Sequence, residues 1–178
     1  EKIIKDKVAQ YRKRATDKGF QQCLFSDEAI VEIDLGKFNF SFDPEQYPAN
    51  RLYEGKYKYS RHYYTRLAHM NNEESDFAFA LDKNPLIEFW VRNLERNPDY
   101  AFWLPTSTDK FYPDFVAKLK SGKLLVCEYK GKHLLTGDDT KEKENIGQLW
   151  AEKSGNLFLL ASEGKEGDFF DQINTVIA

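Results

Sequence analysis

Residues 111–133 read FYPDFVAKLKSGKLLVCEYKGKH, and the fold turns on this stretch. Two largely apolar runs, 111–119 and 123–130, flank Ser121-Gly122, a dipeptide suited to a sharp turn, so the pattern is that of two paired strands. The stretch holds five lysines but only two acids, Asp114 and Glu128. Both acids interrupt runs otherwise patterned for burial. An ionised carboxylate is seldom buried alone, because desolvation is costly, so lysines or a cation must answer it. Glu128 and Lys130 are two apart and share a face of their strand. Two carboxylates can hold a hard divalent ion through oxygen and leave places for water and phosphate. A nearby ammonium then orients that water or neutralises developing charge. A structural Asp–Lys pair beside a surface Glu is the plainer alternative.

The turn decides whether the two acids can meet. A two-residue loop, Ser121-Gly122, sets Lys120 opposite Lys123 and Asp114 opposite Tyr129, with Glu128 on the other side of the sheet. A three-residue loop, Lys120-Ser121-Gly122, sets Leu119 opposite Lys123 and Asp114 opposite Glu128, with side-chain roots ~5 Å apart. Such loops end in a left-handed residue, and Gly122 suits that place. Positive φ at Gly122, or a bulge between Asp114 and Glu128, is therefore expected.

Outward from the hairpin, residues 1–18 read as a basic amphipathic helix and residues 29–42 as an alternating strand. Residues 43–50 are a loop. Residues 51–66 interleave five tyrosines with lysines, arginines and His62, which fits a half-buried strand or a base-stacking platform; the strand is favoured. Asn72 is the expected cap of a helix over 73–82. Residues 86–93 fit a strand or a helix, and 101–105 a strand. A helix follows over 140–153 with Ile146, Leu149 and Trp150 on its core stripe, then a buried strand over 156–161 and a helix over 168–177.

With 178 residues, 41% hydrophobic and 15% aromatic, the chain can bury a core without staples. A net charge of −3 excludes a globally basic nucleic-acid binder, so phosphate contacts would need a local patch. Cys23 and Cys127 lack metal-site spacing and read as free thiols of a reducing compartment. No apolar run approaches the ~20 residues of a membrane span, so a soluble, cytoplasmic chain is expected. The start at Glu1 and the single methionine, Met70, suggest a piece of a longer protein.

Pro113-Asp114 followed after a hairpin by Glu128-Tyr129-Lys130 resembles the PD-(D/E)XK nuclease motif. Its flanks sharpen the likeness: Trp90-Val91-Arg92-Asn93, Phe102-Trp103-Leu104-Pro105, Tyr112 and Phe115 around the first acid, Gly131, and then Lys143, Ile146-Gly147 and Leu149-Trp150. The series is similar to the C-terminal nuclease domain of type III restriction enzymes and related helicase-fused nucleases, over about residues 71–162. The resemblance implies an α/β (α+β) fold of restriction-endonuclease type, a mixed central sheet flanked by helices. It implies a nuclease domain over 71–178, with 1–70 an α/β extension or connector to an upstream helicase. It implies an endonuclease acting on double-stranded DNA with Mg2+, Mn2+ being a substitute, and ATP used only by a motor outside this chain. A modification subunit is a further implied partner.

On that reading Asp114 and Glu128 ligate the metal and Lys130 assists the attacking water. The superfamily adds a helix acid, and Glu74 is chosen because Glu74, Phe77, Ala78 and Leu81 share a helical stripe; Glu73 and Glu88 are alternatives. Lys132, His133, Lys143, Arg61 and His62 are the substrate-side candidates. Removing either metal acid is expected to preserve or raise stability, since like charges no longer repel. A non-catalytic nucleic-acid-binding or interaction module that keeps the fold is the alternative function.

Overall fold

Asn71, one residue earlier than expected, caps the first helix described by the structure, a computed structural model covering residues 47–97, 100–107, 109–135, 137–163 and 165–178. The expected helix at 1–18, the strand at 29–42 and Cys23 lie outside the described residues. Helix α1 (Asn72–Lys83) begins with a reciprocal capping box. The Asn71 side chain accepts from the Glu74 amide, and the Glu74 carboxylate accepts from the Asn71 amide. Such caps are worth about 1 kcal/mol. Phe77, Ala78 and Leu81 form its buried stripe.

The ambiguous segment after Pro85 is strand β1 (Ile87–Arg92). Two short strands, β2 (Leu104–Pro105) and β3 (Lys110–Phe111), pair with each other. The hairpin itself is β4 (Phe115–Leu119) and β5 (Leu124–Tyr129). The longer strands expected over 101–105 and 111–119 are thus cut short. Pro113 has no amide to give a ladder, and the Asn93 side chain takes its carbonyl instead. A single 3-10 turn (Lys132–Leu134) leads to helix α2 (Asp138–Ser154), strand β6 (Leu157–Ala161) and helix α3 (Phe169–Ile177).

The main sheet runs β1-β4-β5-β6, antiparallel except for the parallel β5/β6 pair. It is a mixed sheet flanked by helices, in an α+β chain. Phe115 pairs with Cys127 and Lys118 with Leu124, and Gly122 has φ of 92°. This is the register of the three-residue loop. It extends to Asp114 opposite Glu128.

One sheet face, with Trp90, Phe115, Cys127 and Tyr129, packs with Phe77 and Leu81 of α1 and Ile173 of α3. Cys127 is a free, fully buried thiol, and burial pushes its pKa up. Helix α2 lies against β6. A Cβ on Gly147 would come within 2.4 Å of the Phe158 ring, so only glycine permits that approach. Ile146, Leu149 and Trp150 are buried as expected.

Residues 51–66 do not form the expected strand. They hold only isolated bridges, Leu52 to Ala68 and His62 to Trp90. The reason is that their amides have other acceptors: Ser60 and Arg61 both donate to the buried Asp82 carboxylate. Four of the five tyrosines are buried or half-buried, Tyr57 stacking on Phe79 at 4.4 Å and Tyr59 meeting Trp90 edge-on at 5.2 Å, and only Tyr63 is exposed. They therefore form no open stacking platform.

The chain divides into two compact units. Phe40–Leu104 with Phe111–Ala178 carry the main sheet and helices. Of the other unit, Glu1–Asn39 with Pro105–Lys110, only residues within 105–110 are described. No helix among the described residues is long and apolar enough to cross a membrane.

Candidate functional site

The site gathers where β1 ends, β4 begins and β5 ends. Asn93 builds its floor. Its amide donates to the Asp114 carbonyl at 2.9 Å, and its buried side chain donates to the carbonyls of Phe102 and Pro113 at 2.7 and 2.8 Å. The Phe102 amide returns a bond to Asn93 Oδ1 at 3.0 Å. The Pro113-Asp114 bend is fixed by these contacts.

Asp114 then meets two donors. Oδ1 accepts from the Arg92 guanidinium at 2.7 Å, and Oδ2 accepts from the Tyr129 amide at 2.9 Å. The second of these ties the acid directly to β5. Glu128, only 3% exposed, receives Lys130 Nζ on Oε1 at 2.7 Å. Its Oε2 is buried and has no hydrogen-bond partner among the described residues. Burial, reinforced by the neighbouring Asp114 charge, pushes the Glu128 pKa up to about 8, with Lys130 pulling the other way. Burial works to lower the Lys130 pKa, but Glu128 outweighs it and the net shift is upward. A buried acid held this far from its usual range, with one oxygen unanswered, is short of positive charge.

Arg92 was legible only as flanking text, yet it stands at the centre of the site. Its guanidinium donates to the carbonyl and Oδ1 of Asp114, and to Glu74 Oε1 at 2.9 Å. It also lies over the Phe115 ring, 5.1 Å from the centroid. Burial opposes its charge, while Asp114 and Glu74 more than restore it. Through Arg92, Glu74 is linked to Asp114, and its other oxygen is occupied by the capping box. Of the two alternatives, Glu73 accepts from the Tyr129 hydroxyl at 3.1 Å, and Glu88 is exposed on β1.

Among the substrate-side candidates, Lys143 is brought near Glu128, whose charge it favours. It pairs with Asp139 at 2.8 Å and lies over the Phe111 ring. Lys132 is exposed on the turn after β5. The His133 side chain lies outside the described residues. Arg61 and His62 are engaged internally. Arg61 donates to the carbonyls of Asn84 and Ile87. His62 Nε2 accepts from the Arg92 amide at 3.2 Å, which leaves Nδ1 to donate to the Tyr64 carbonyl at 2.8 Å. Burial holds its pKa down to about 4.

Among the described residues no group of three or more His, Cys, Asp or Glu side chains is arranged to enclose a metal ion. The donors at hand for a cation are the orphaned Glu128 oxygen and the lone pairs of Asp114 not taken by Arg92 and Tyr129. Hard carboxylate oxygens of this kind suit Mg2+ or Mn2+, which keep several waters. Compared with known proteins, the chain matches no family model, no curated protein and no solved structure.

Proposed function

We propose that this chain is a magnesium-dependent DNA endonuclease domain of restriction-endonuclease type. The buried Glu128 oxygen without a donor, beside Asp114 and Lys130, carries this reading. A carboxylate desolvated this strongly is stabilised by a divalent cation. Asp114 and Glu128 are the ligands, and Lys130 holds the attacking water or neutralises charge as the phosphodiester is cut. Glu74 supports the shell by way of Arg92. Lys143, Lys132 and His133 are the groups assigned to the phosphate on this reading. When bound, the ion would polarise the phosphate and lower the pKa of its own water, so that the water gives up its proton more readily as it attacks. The motif series further supports a place in a type III restriction enzyme or helicase-nuclease, cytoplasmic, with ATP-driven domains supplied elsewhere in the polypeptide.

Plasmid cleavage tests the reading. The chain with Mg2+ or Mn2+ should nick or linearise supercoiled DNA. Asp114→Asn, Glu128→Gln and Lys130→Ala should each lower the rate by at least about a hundredfold, the scale for loss of a metal ligand or catalytic cation. Wild-type rates in all three variants would dismiss it. A second reading, a non-catalytic nucleic-acid-binding module, draws support from the Arg92 grip on Asp114, which supplies that acid with a cation of the protein's own. It requires DNA binding with no cleavage at any concentration of either metal.

A further inference from the structure

The acids of the site are unequally satisfied. Glu74 has a donor on each oxygen, Arg92 on Oε1 and the Asn71 amide on Oε2. Asp114 also has one donor on each oxygen, but a carboxylate offers about four lone-pair positions, so each of its oxygens can still accept one partner. Glu128 has an oxygen with nothing on it. By the same count Glu74 keeps as much acceptor capacity as Asp114, so the acid that stands apart is Glu128, with one oxygen wholly unanswered. The space between Asp114 and Glu74 is filled by a guanidinium whose side chain is 12% exposed and which lies over the Phe115 ring.

We infer that the chain binds one divalent ion, between Asp114 and Glu128, and that the Arg92 guanidinium is a resident cation in the place a second ion would need. The inference rests on the metal-binding part of the proposed function. Charge supports the count. With Glu128 ionised, as ligation of a cation requires, Glu74, Asp114 and Glu128 carry three formal negative charges against two positive ones on Arg92 and Lys130, and the nearby Lys143–Asp139 pair adds none. A single divalent ion reverses that small deficit, and a second would leave a strongly positive, poorly hydrated cluster. Without Arg92 the deficit doubles and the Asp114–Glu74 gap opens. Arg92 is thus a positioning residue: it holds Asp114 through Oδ1 and the carbonyl and sets how many ions the site accepts.

The test is titration of the 178-residue chain with Mn2+, followed by calorimetry and by electron paramagnetic resonance. Wild type should take up about one ion per chain and give an unbroadened six-line bound spectrum. Arg92→Met should take up two and show dipolar broadening from neighbouring ions, while Arg92→Lys, which keeps a cation, should stay at one. Glu74→Gln covers the case in which Arg92→Met does not fold. Because Glu74 acts through Arg92, Glu74→Gln should still take up one Mn2+ per chain, weakened by no more than about 10–100-fold, the scale of a lost outer-shell partner. Two ions in wild type, one ion in a folded Arg92→Met, or no Mn2+ uptake in Glu74→Gln alone each overturn the inference. No Mn2+ uptake by any form overturns both the inference and the Asp114–Glu128 metal site.

Discussion

Replacing Glu128 by glutamine removes a charge whose Oε2 meets no donor, while Oε1 can still accept from Lys130. The metal-free chain should gain on the order of 1 kcal/mol or more at pH 7 from that change, because folding no longer has to bring a proton onto a carboxylate that is ionised in the unfolded chain. Asp114 behaves oppositely. Its charge is answered by Arg92 and the Tyr129 amide, so Asp114→Asn leaves a buried guanidinium short of its partner and should cost about 1–3 kcal/mol. The expectation that both substitutions preserve or raise stability therefore survives for Glu128 only. Urea denaturation of the two variants checks the opposite signs, and a loss in both would remove the asymmetry. His62 supplies the pH dependence. Its folded pKa of about 4 lies below the unfolded 6.5, so the unfolded chain binds more protons between these values. Stability is thus fully present above pH 6.5 and falls as pH drops toward 4, by up to about 3 kcal/mol from this residue. His62→Gln should flatten that slope, and an unchanged slope would assign the acid sensitivity elsewhere. Arg92 was the residue least legible in the sequence. A lone cation ending a strand has no meaning until the chain brings Glu74 and Asp114 to it, 18 and 22 positions away.

At the scale of elements, what could be read was what local geometry dictates. The hairpin register follows from loop length and the tolerance of Gly122 for positive φ, so it was open to reasoning from seven or eight residues. The buried stripes of α2 and the short apolar run of β6 were equally plain. Segment 51–66 was not, because its hydrogen bonds end on Asp82, a carboxylate from another element, and no alternation in the segment announces that. The contact of α2 with β6 yields a sharper test than either. Gly147 faces the Phe158 ring, and a methyl group there forces the ring or the helix to shift. Gly147→Ala should therefore destabilise the chain by about 1–3 kcal/mol, although alanine is intrinsically the better helix former. Thermal melting of that variant beside Gly147→Ala/Phe158→Leu, which should recover part of the loss, decides whether crowding is the cause.

For the whole molecule, the proposed metal site links folding to ion concentration. Magnesium that binds only the folded chain should add about 2.7 kcal/mol at roughly a hundred times its dissociation constant. Melting curves with and without Mg2+ measure this, and the gain should vanish in Glu128→Gln. Unmoved wild-type curves with both Mg2+ and Mn2+ would mean that no such site exists in the free chain. The parallel pairing of β5 with β6 has a consequence in time. Asp114 and Glu128 are joined by a local hairpin, whereas the Lys130 amide is anchored to the Ala161 carbonyl across the whole α2 crossover. Local closures form fast and distant ones slowly. During synthesis the two acids can thus come together while Ala161 is still being translated, and on the nuclease reading a growing chain acquires its means of capturing the ion before its means of spending it on DNA.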